Sequence, residues 1–236
     1  MNKTVYRVTR PLMLAAPILA AIGATWLAPS LGAAQEGIAL PGPAVDETAG
    51  AKPETAIFAG GCFWGVQGVF SHVGGVISAT SGYAGGSVAD PSYDAVSAGG
   101  TGHAESVQVV FDPKKVSYGH LLQIYFSVAH DPTELNRQGP DSGTQYRSAI
   151  FPTNGAQAKI AQAYIAQLGQ AHLFDGSIVT RVEPGARFFR AEDYHQDFLA
   201  LNPTHPYIVA NDLPKLQHLK ALFPADYTVK PIMVMN

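Results

Sequence analysis

From Thr55 onward, apolar positions recur at two different spacings, and the changes of spacing mark out the elements. Thr55-Ala56-Ile57-Phe58-Ala59 is a short apolar run of strand length, and after one tight turn Val66-Gln67-Gly68-Val69-Phe70 reads as helix. Gly75 to Thr80 is β-like, whereas the polar, Gly-rich stretch from Ser81 to Gly102 reads as a long loop with one helical turn from Ser92 to Ser97. Glu105-Ser106-Val107-Gln108-Val109-Val110-Phe111 alternates as a strand and stops at Asp112-Pro113. Ser117 is placed to cap a helix through Leu121, Leu122, Tyr125 and Val128. A second polar loop, His130 to Thr144, leads into the alternating stretch Gln145 to Phe151. Asn154 then caps an Ala/Gln-rich helix to about Ala171. Ile178 to Val182 reads as a further strand, and Ala191 to Leu201 and Leu213 to Leu222 as short helices. The order β-α-β-β-α-β, then α-β and terminal helices, is the split βαβ pattern. It predicts a single α+β domain with helices on one face of the sheet.

The residues before Thr55 differ in kind. Lys3, Arg7 and Arg10 precede an uncharged apolar run from Pro11 to Pro29, and Gly32-Ala33-Ala34 offers small residues for cleavage. Residues 1–34 therefore read as a signal peptide, with an uncleaved membrane anchor as the alternative, and either places the domain outside the cytoplasm, in the periplasm. Residues 35–54 are rich in Pro, Ala, Gly and acids without an apolar period and read as a flexible linker. Residues 55–236 then form the catalytic domain. A formal charge of -3 without a basic block argues against nucleic acid as a partner, and nothing in the chain demands more than a monomer.

Chemistry narrows to one thiol. Cys62 is the only cysteine, set in Gly60-Gly61-Cys62-Phe63-Trp64-Gly65 where the first strand turns into the first helix. Free N–H groups and the helix dipole favour an anion there, so a reactive thiolate is expected. An exported chain with one cysteine has no internal disulfide to make, which leaves a free thiol or an intermolecular link. Glu105, at a strand entry beside Thr101-Gly102-His103, would serve as a general acid if its pocket is apolar, and otherwise is a solvated strand end. His103 reads more simply as a histidine that pins the loop. Tyr93 and Tyr146, one on each long loop, would donate to a strongly polar oxygen or merely pack, and Tyr83 would anchor its loop. No phosphate loop, dinucleotide fingerprint or zinc spacing is present, so the chemistry is expected to run on side chains without a bound metal or cofactor. A Cys–His hydrolase would need His103, His130 or His195 as base and has no local signature.

Taken together, six motifs resemble the A-class peptide methionine sulfoxide reductases. They are Gly61-Cys62-Phe63-Trp64-Gly65, Gly82-Tyr83-Ala84-Gly85-Gly86, Thr101-Gly102-His103-Ala104-Glu105, His130-Asp131-Pro132, Gly143-Thr144-Gln145-Tyr146-Arg147-Ser148 and Ala191-Glu192-Asp193-Tyr194-His195-Gln196. They stand in that family's order over roughly Thr55 to Pro206. The resemblance implies a ferredoxin-like two-layer roll that reduces the S epimer of methionine sulfoxide, free or in oxidised proteins. It implies Cys62 as nucleophile, Glu105 as the acid, Tyr93 and Tyr146 as hydrogen-bond donors to the sulfoxide oxygen, Asp141 ordering the polar side, and Phe63 and Trp64 caging the substrate methyl. The chain departs from many members in one respect: no cysteine follows Cys62. A sulfenic acid formed on Cys62 would then be resolved by an external reductant, a thioredoxin-like protein or a small thiol. The rival readings are a thiol peroxidase, which also cycles through a sulfenic acid, and a non-enzymatic module that binds thioethers or sulfoxides.

Overall fold

The computed structural model describes residues 1, 37–48 and 50–235. The expected signal peptide or anchor lies outside the described residues. Its regular elements are strands β1 (Glu54–Ala59), β2 (Val76–Ala84) and β3 (Ala104–Phe111), with helix α1 (Phe63–Ser71) between the first two strands and the short α2 (Tyr93–Ser97) before the third. Helix α3 (Tyr118–Ile124) continues as a π-helical turn, Tyr125–Ala129. A two-residue hairpin follows, β4 (Arg137–Gln138) and β5 (Asp141–Ser142), and then β6 (Ala149–Ile150), α4 (Gly155–Ala171), β7 (Arg181–Val182), β8 (Phe188–Arg190), α5 (Phe198–Leu201) and α6 (Leu213–Leu222).

Six strands form one sheet in the order β7-β6-β1-β3-β2-β8. β3 runs antiparallel between β1 and β2, so β1-α1-β2 is the split βαβ unit predicted from the pattern. Its alternation sets the core: Val107, Val109 and Phe111 point inward among Val66, Val69 and Phe70 of α1. Glu105 belongs to the same inward stripe, two residues before Val107, so strand register alone drives a carboxyl into the interior. The caps agree with the pattern as well. Ser117 Oγ accepts from His120 N at 3.1 Å, and Asn154 Oδ1 accepts from Gln157 N at 2.9 Å.

Five points depart from the sequence reading. Ser81 to Ala84 is not loop but the end of β2, where Tyr83 pairs with Glu105 across the ladder. β8 is a strand that the pattern does not announce, because three residues are too few to show a period. Gln145 to Phe151 is not one strand: it begins within a 3-10 turn, Thr144–Tyr146, and only Ala149–Ile150 is strand, while residues 191–201 break into a 3-10 turn and the four-residue α5. The flexible linker is the largest correction. Residues 37–48 lie along α3 and α4: Ile38 N donates to Ser127 O at 2.9 Å, Tyr164 OH to Pro41 O at 2.7 Å, and Gln123 Nε2 to Leu40 O at 2.7 Å, with Leu40 buried. Asp46 accepts from Ser117 Oγ and Gly119 N at the start of α3, which a loose Pro- and acid-rich composition hides. The segment is held by backbone and capping bonds rather than by an apolar stripe, so no period betrays it.

Candidate active site

Cys62 is the N-cap of α1 and is 9% exposed. The sharp entry into the helix depends on Gly61, whose φ of 87° is open to glycine and whose Cβ would lie 2.5 Å from Cβ of Gln138. Gln138 is itself fixed on both amide atoms by Asp131, donating to its carbonyl at 2.6 Å and accepting from its N–H at 2.9 Å. The β4–β5 hairpin thereby presses against the nucleophile's turn.

The expected thiolate is not what this setting favours at rest. Burial, then the negative charges of Glu105 and Asp212, push the Cys62 thiol well above its ordinary value, and the N–H of Trp64 pulls it back only in part. The helix start does offer N–H groups, as the sequence implied, but Phe63 N is taken by Glu105 Oε2 at 3.0 Å. Glu105 is 2% exposed. Burial pushes its carboxyl up to about 8, against the pull of that one bond, and the charges of Asp141 and Asp212 add to the rise. The structure thus puts a protonated carboxyl and a protonated thiol side by side at neutral pH.

Tyr93 and Tyr146 come to the same place from separate loops. Burial raises both phenols, and the same three groups, Glu105, Asp141 and Cys62, act on each. Asp141, on β5, accepts from Tyr207 OH, and burial lifts its carboxyl above the usual range while Tyr207 and Lys215 hold it down. Phe63 and Trp64 divide the aromatic wall. Phe63 is fully buried against Tyr83 and His195, with ring centroids 5.9 and 5.0 Å away, whereas Trp64 is half-buried. The seven sequence-predicted residues therefore converge, with Trp64 rather than Phe63 at the more open side.

Sequence reasoning quoted Glu192, His195 and Gln196 within a motif but did not read them as the opposite wall. Glu192 accepts from Tyr83 OH and Tyr93 N, each at 2.8 Å, and so ties β2 to the first residue of α2. Burial alone would raise the Glu192 carboxyl, but the N–H of Tyr93, its own N–H and Tyr83 OH, with His195 nearby, hold it below the ordinary value. His195 packs 4.3 Å from the Tyr93 ring, and its Nδ1 accepts from Trp64 Nε1 at 3.2 Å. Phe198 stacks on Trp64 at 3.8 Å, and Tyr207 meets the same indole edge-on at 5.9 Å. Gln67 and Gln196 hold this wall to the sheet. Gln67 Nε2 donates to Ala79 O at 2.8 Å, its Oε1 accepts from Asp197 N at 2.9 Å, and Gln196 exchanges bonds with both backbone atoms of Ser81 at 3.0 Å. A glutamine amid the apolar positions of α1 was the available signal, since a buried amide needs partners from another segment. His103 has the modest role read for it: its ring bonds Val88 O at 2.8 Å and Gly86 N at 3.2 Å, pinning the loop.

A peptide methionine sulfoxide reductase family model matches residues 54–226. A Mesorhizobium japonicum protein named peptide methionine sulfoxide reductase MsrA 2 is 63% identical over 192 residues, covering 81% of this chain and 98% of its own. A Synechocystis protein of the same name is 52% identical over 185 residues, covering 77% and 86%. Among solved structures, methionine sulfoxide reductase A of Corynebacterium diphtheriae is 36% identical with a TM-score of 0.57, covering 76% of this chain and 92% of that one. Reduced Mxr1 from Saccharomyces cerevisiae is 33% identical with a TM-score of 0.58, covering 69% and 92%.

Proposed function

The chain belongs to the peptide methionine sulfoxide reductase family and is an oxidoreductase that reduces methionine sulfoxide at the expense of thiols; from that premise we propose how its own residues divide the work. Cys62 attacks the sulfoxide sulfur while Glu105 delivers its proton to the sulfoxide oxygen, and the proton leaving the thiol restores Glu105. The hydroxyl then passes to the Cys62 sulfur, releasing methionine and leaving a sulfenic acid. Two molecules of an external thiol, or one dithiol of a thioredoxin-like protein, return Cys62 to the thiol, giving a disulfide and water. Tyr93 and Tyr146 donate to the oxygen as charge gathers on it, and Asp141 acts by orienting Tyr207. Trp64 takes the methyl group on its face, with Phe63 behind it, and the S epimer is the one whose oxygen and methyl meet these two sides together.

One observation carries this reading. Glu105 is buried next to Cys62 and keeps its proton up to about pH 8. A sulfoxide is a poor electrophile until its oxygen is protonated, and a carboxyl that stays neutral at physiological pH meets that need. Residues 1–34 direct export to the periplasm in the same proposal, which puts a monomeric enzyme beside oxidised proteins outside the cytoplasm.

The test is single-turnover mass spectrometry with S- and R-methionine sulfoxide and no reductant. We expect one sulfenic acid on Cys62, trapped by a dimedone-type reagent, with the S epimer alone. Oxidation by both epimers would remove the stereochemical assignment, and an unmodified Cys62 with either would remove its role as nucleophile.

A further inference from the structure

Asp212 has no part in that chemistry, yet it is fully buried at the site. It closes the π-helical turn Ile208–Asp212 and opens α6. Among the described residues its partner is Lys215, whose Nζ stands 3.4 Å from Oδ1 and supplies both its ion pair and its side-chain donor. Lys215 is also largely enclosed, its side chain 15% exposed. A buried carboxylate costs several kcal/mol unless a countercharge accompanies it, and Lys215 is that countercharge.

The pair's location is specific. A Cβ on Gly65 would fall 2.1 Å from Asp212 Oδ1 and 2.8 Å from Lys215 Nζ, so both charges rest against bare backbone. Gly65 lies in the first turn of α1, three residues after Cys62. The glycine that closes Gly61-Cys62-Phe63-Trp64-Gly65 is thus explained by the ion pair it admits. The titratable groups acting on Cys62 come from three directions: Glu105 from β3, Asp141 from β5, and Asp212 from the start of α6. The thiol acts in turn on the phenols of Tyr93, Tyr146 and Tyr207. Lys215 lies close enough to act on both Asp141 and Asp212.

The geometry points to Asp212 and Lys215 as a positioning pair for the reaction, an enclosed ion pair seated on Gly65 that sets how readily Cys62 releases its proton. Asp212 keeps the proton on sulfur in the resting enzyme, and Lys215 limits that hold so that the thiol is still able to react. This rests on Cys62 being the nucleophile, but it is read by a measurement that needs no sulfoxide.

The experiment is the pH dependence of Cys62 alkylation by iodoacetamide in the full chain, where the single cysteine makes the signal unambiguous. Asp212→Asn should move the alkylation midpoint to lower pH and raise the rate at pH 7.5 about three- to tenfold, the scale expected for removing one nearby charge. Lys215→Met should do the opposite by a similar factor, and Lys215→Arg should restore the parental profile. Opposite movements support the pair. A midpoint unmoved in both variants, or moved the same way in both, overturns it, because loss of packing would only expose the thiol. If Asp212→Asn does not fold, Lys215→Met against Lys215→Arg decides the question by itself. The proposal fails if those two behave alike. Should the sulfoxide test fail while these midpoints move apart, the catalytic assignment falls and the electrostatic pair stands.

Discussion

Cys62 and Glu105 stand on regular elements, one at the N-cap of α1 and the other in the register of β3, whereas the facing wall comes from chain with little regular structure. Glu192, His195, Phe198 and Tyr207 lie in a stretch whose longest α-helix before α6 has four residues. The first region is positioned by periodicity, since burying Val107, Val109 and Phe111 leaves Glu105 no other direction to face. The second is positioned by bonds, through Glu192 to Tyr83 and Tyr93 and through Gln67 and Gln196 to β2. Reacting groups on the rigid corner and pocket walls on a hydrogen-bonded flap suggest a division of labour: the corner carries the chemical step and the wall carries binding. That division is open to experiment at each side chain.

The largest effect is expected at Glu105. Glu105→Gln should slow Cys62 oxidation by S-methionine sulfoxide about 10²- to 10⁴-fold in single turnover, the usual contribution of general acid catalysis, with a much smaller change in KM. In the parent the same rate should decline as pH rises through about 8, where Glu105 loses its proton. The variant should lack that limb. The linkage has a matching sign for stability. Because the folded carboxyl lies above its unfolded value, its contribution is complete below about pH 4.5 and is lost as pH rises through about 8. Thermal melts of parent and variant should therefore diverge toward alkaline pH, as the parent loses stability that the neutral Gln side chain keeps. A Glu105→Gln rate within threefold of the parent would mean that the acid stands elsewhere, and the comparison would lose its first term.

How much of this was legible follows from the same contrast. The β1–α1 junction, the β3 alternation and the caps at Ser117 and Asn154 are local patterns, and each appears in the structure where the pattern puts it. Cys62 could be named from its place at the β1–α1 junction, whereas Glu105, Tyr93, Tyr146 and Asp141 received their roles from the resemblance to a known family; spacing alone left Glu105 and both tyrosines ambiguous. The wall's residues from Ala191 to Gln196 stood in a quoted motif, but their role escaped because its contacts span about 110 to 130 residues of sequence, as from Tyr83 to Glu192 and from Trp64 to His195, and no short window contains both ends. The strap at residues 37–48 escaped for a different reason, since its composition is that of a linker and only the donors waiting on α3 make it structure. The resting state of Cys62 also ran against local reasoning. The helix start favours a thiolate, but burial and three carboxyl groups outweigh it.

A smaller effect is expected at Glu192, on the wall. Glu192→Ala removes the acceptor for Tyr83 OH and Tyr93 N, and a hydrogen bond to a charged group is worth roughly 1.5–3 kcal/mol when buried, less at this half-buried site. We expect KM for a sulfoxide peptide to rise about three- to tenfold with kcat changed less than twofold. Denaturation should show the parent's advantage at neutral pH and not in acid. The folded Glu192 carboxyl lies below its unfolded value, so its contribution is present above the ordinary carboxylate range and disappears as pH falls through it. A fall in kcat equal to the fall in kcat/KM would place Glu192 with the chemical corner and blur the division.

Phe198 sharpens the comparison at its finest point, because it touches Trp64 but is absent from every motif quoted for Cys62. The two rings stack at 3.8 Å with only 11° between their planes, so Phe198 fixes the face that Trp64 turns toward the substrate methyl. An aromatic pair of this kind is worth about 0.5–1.5 kcal/mol beyond the area it covers. Phe198→Leu keeps most of that area and loses the stacking, so KM should rise about two- to tenfold while single-turnover oxidation of Cys62 at saturating sulfoxide stays near the parental rate. Emission offers a second readout in a Trp26→Phe background, where Trp64 is the remaining tryptophan. The spectrum should shift to the red in Phe198→Leu, and its response to added S-methionine sulfoxide should shrink. An unchanged KM together with an unchanged spectrum would mean that Trp64 is held by His195 and Tyr207 alone, and the wall's role would contract to its hydrogen-bonded half.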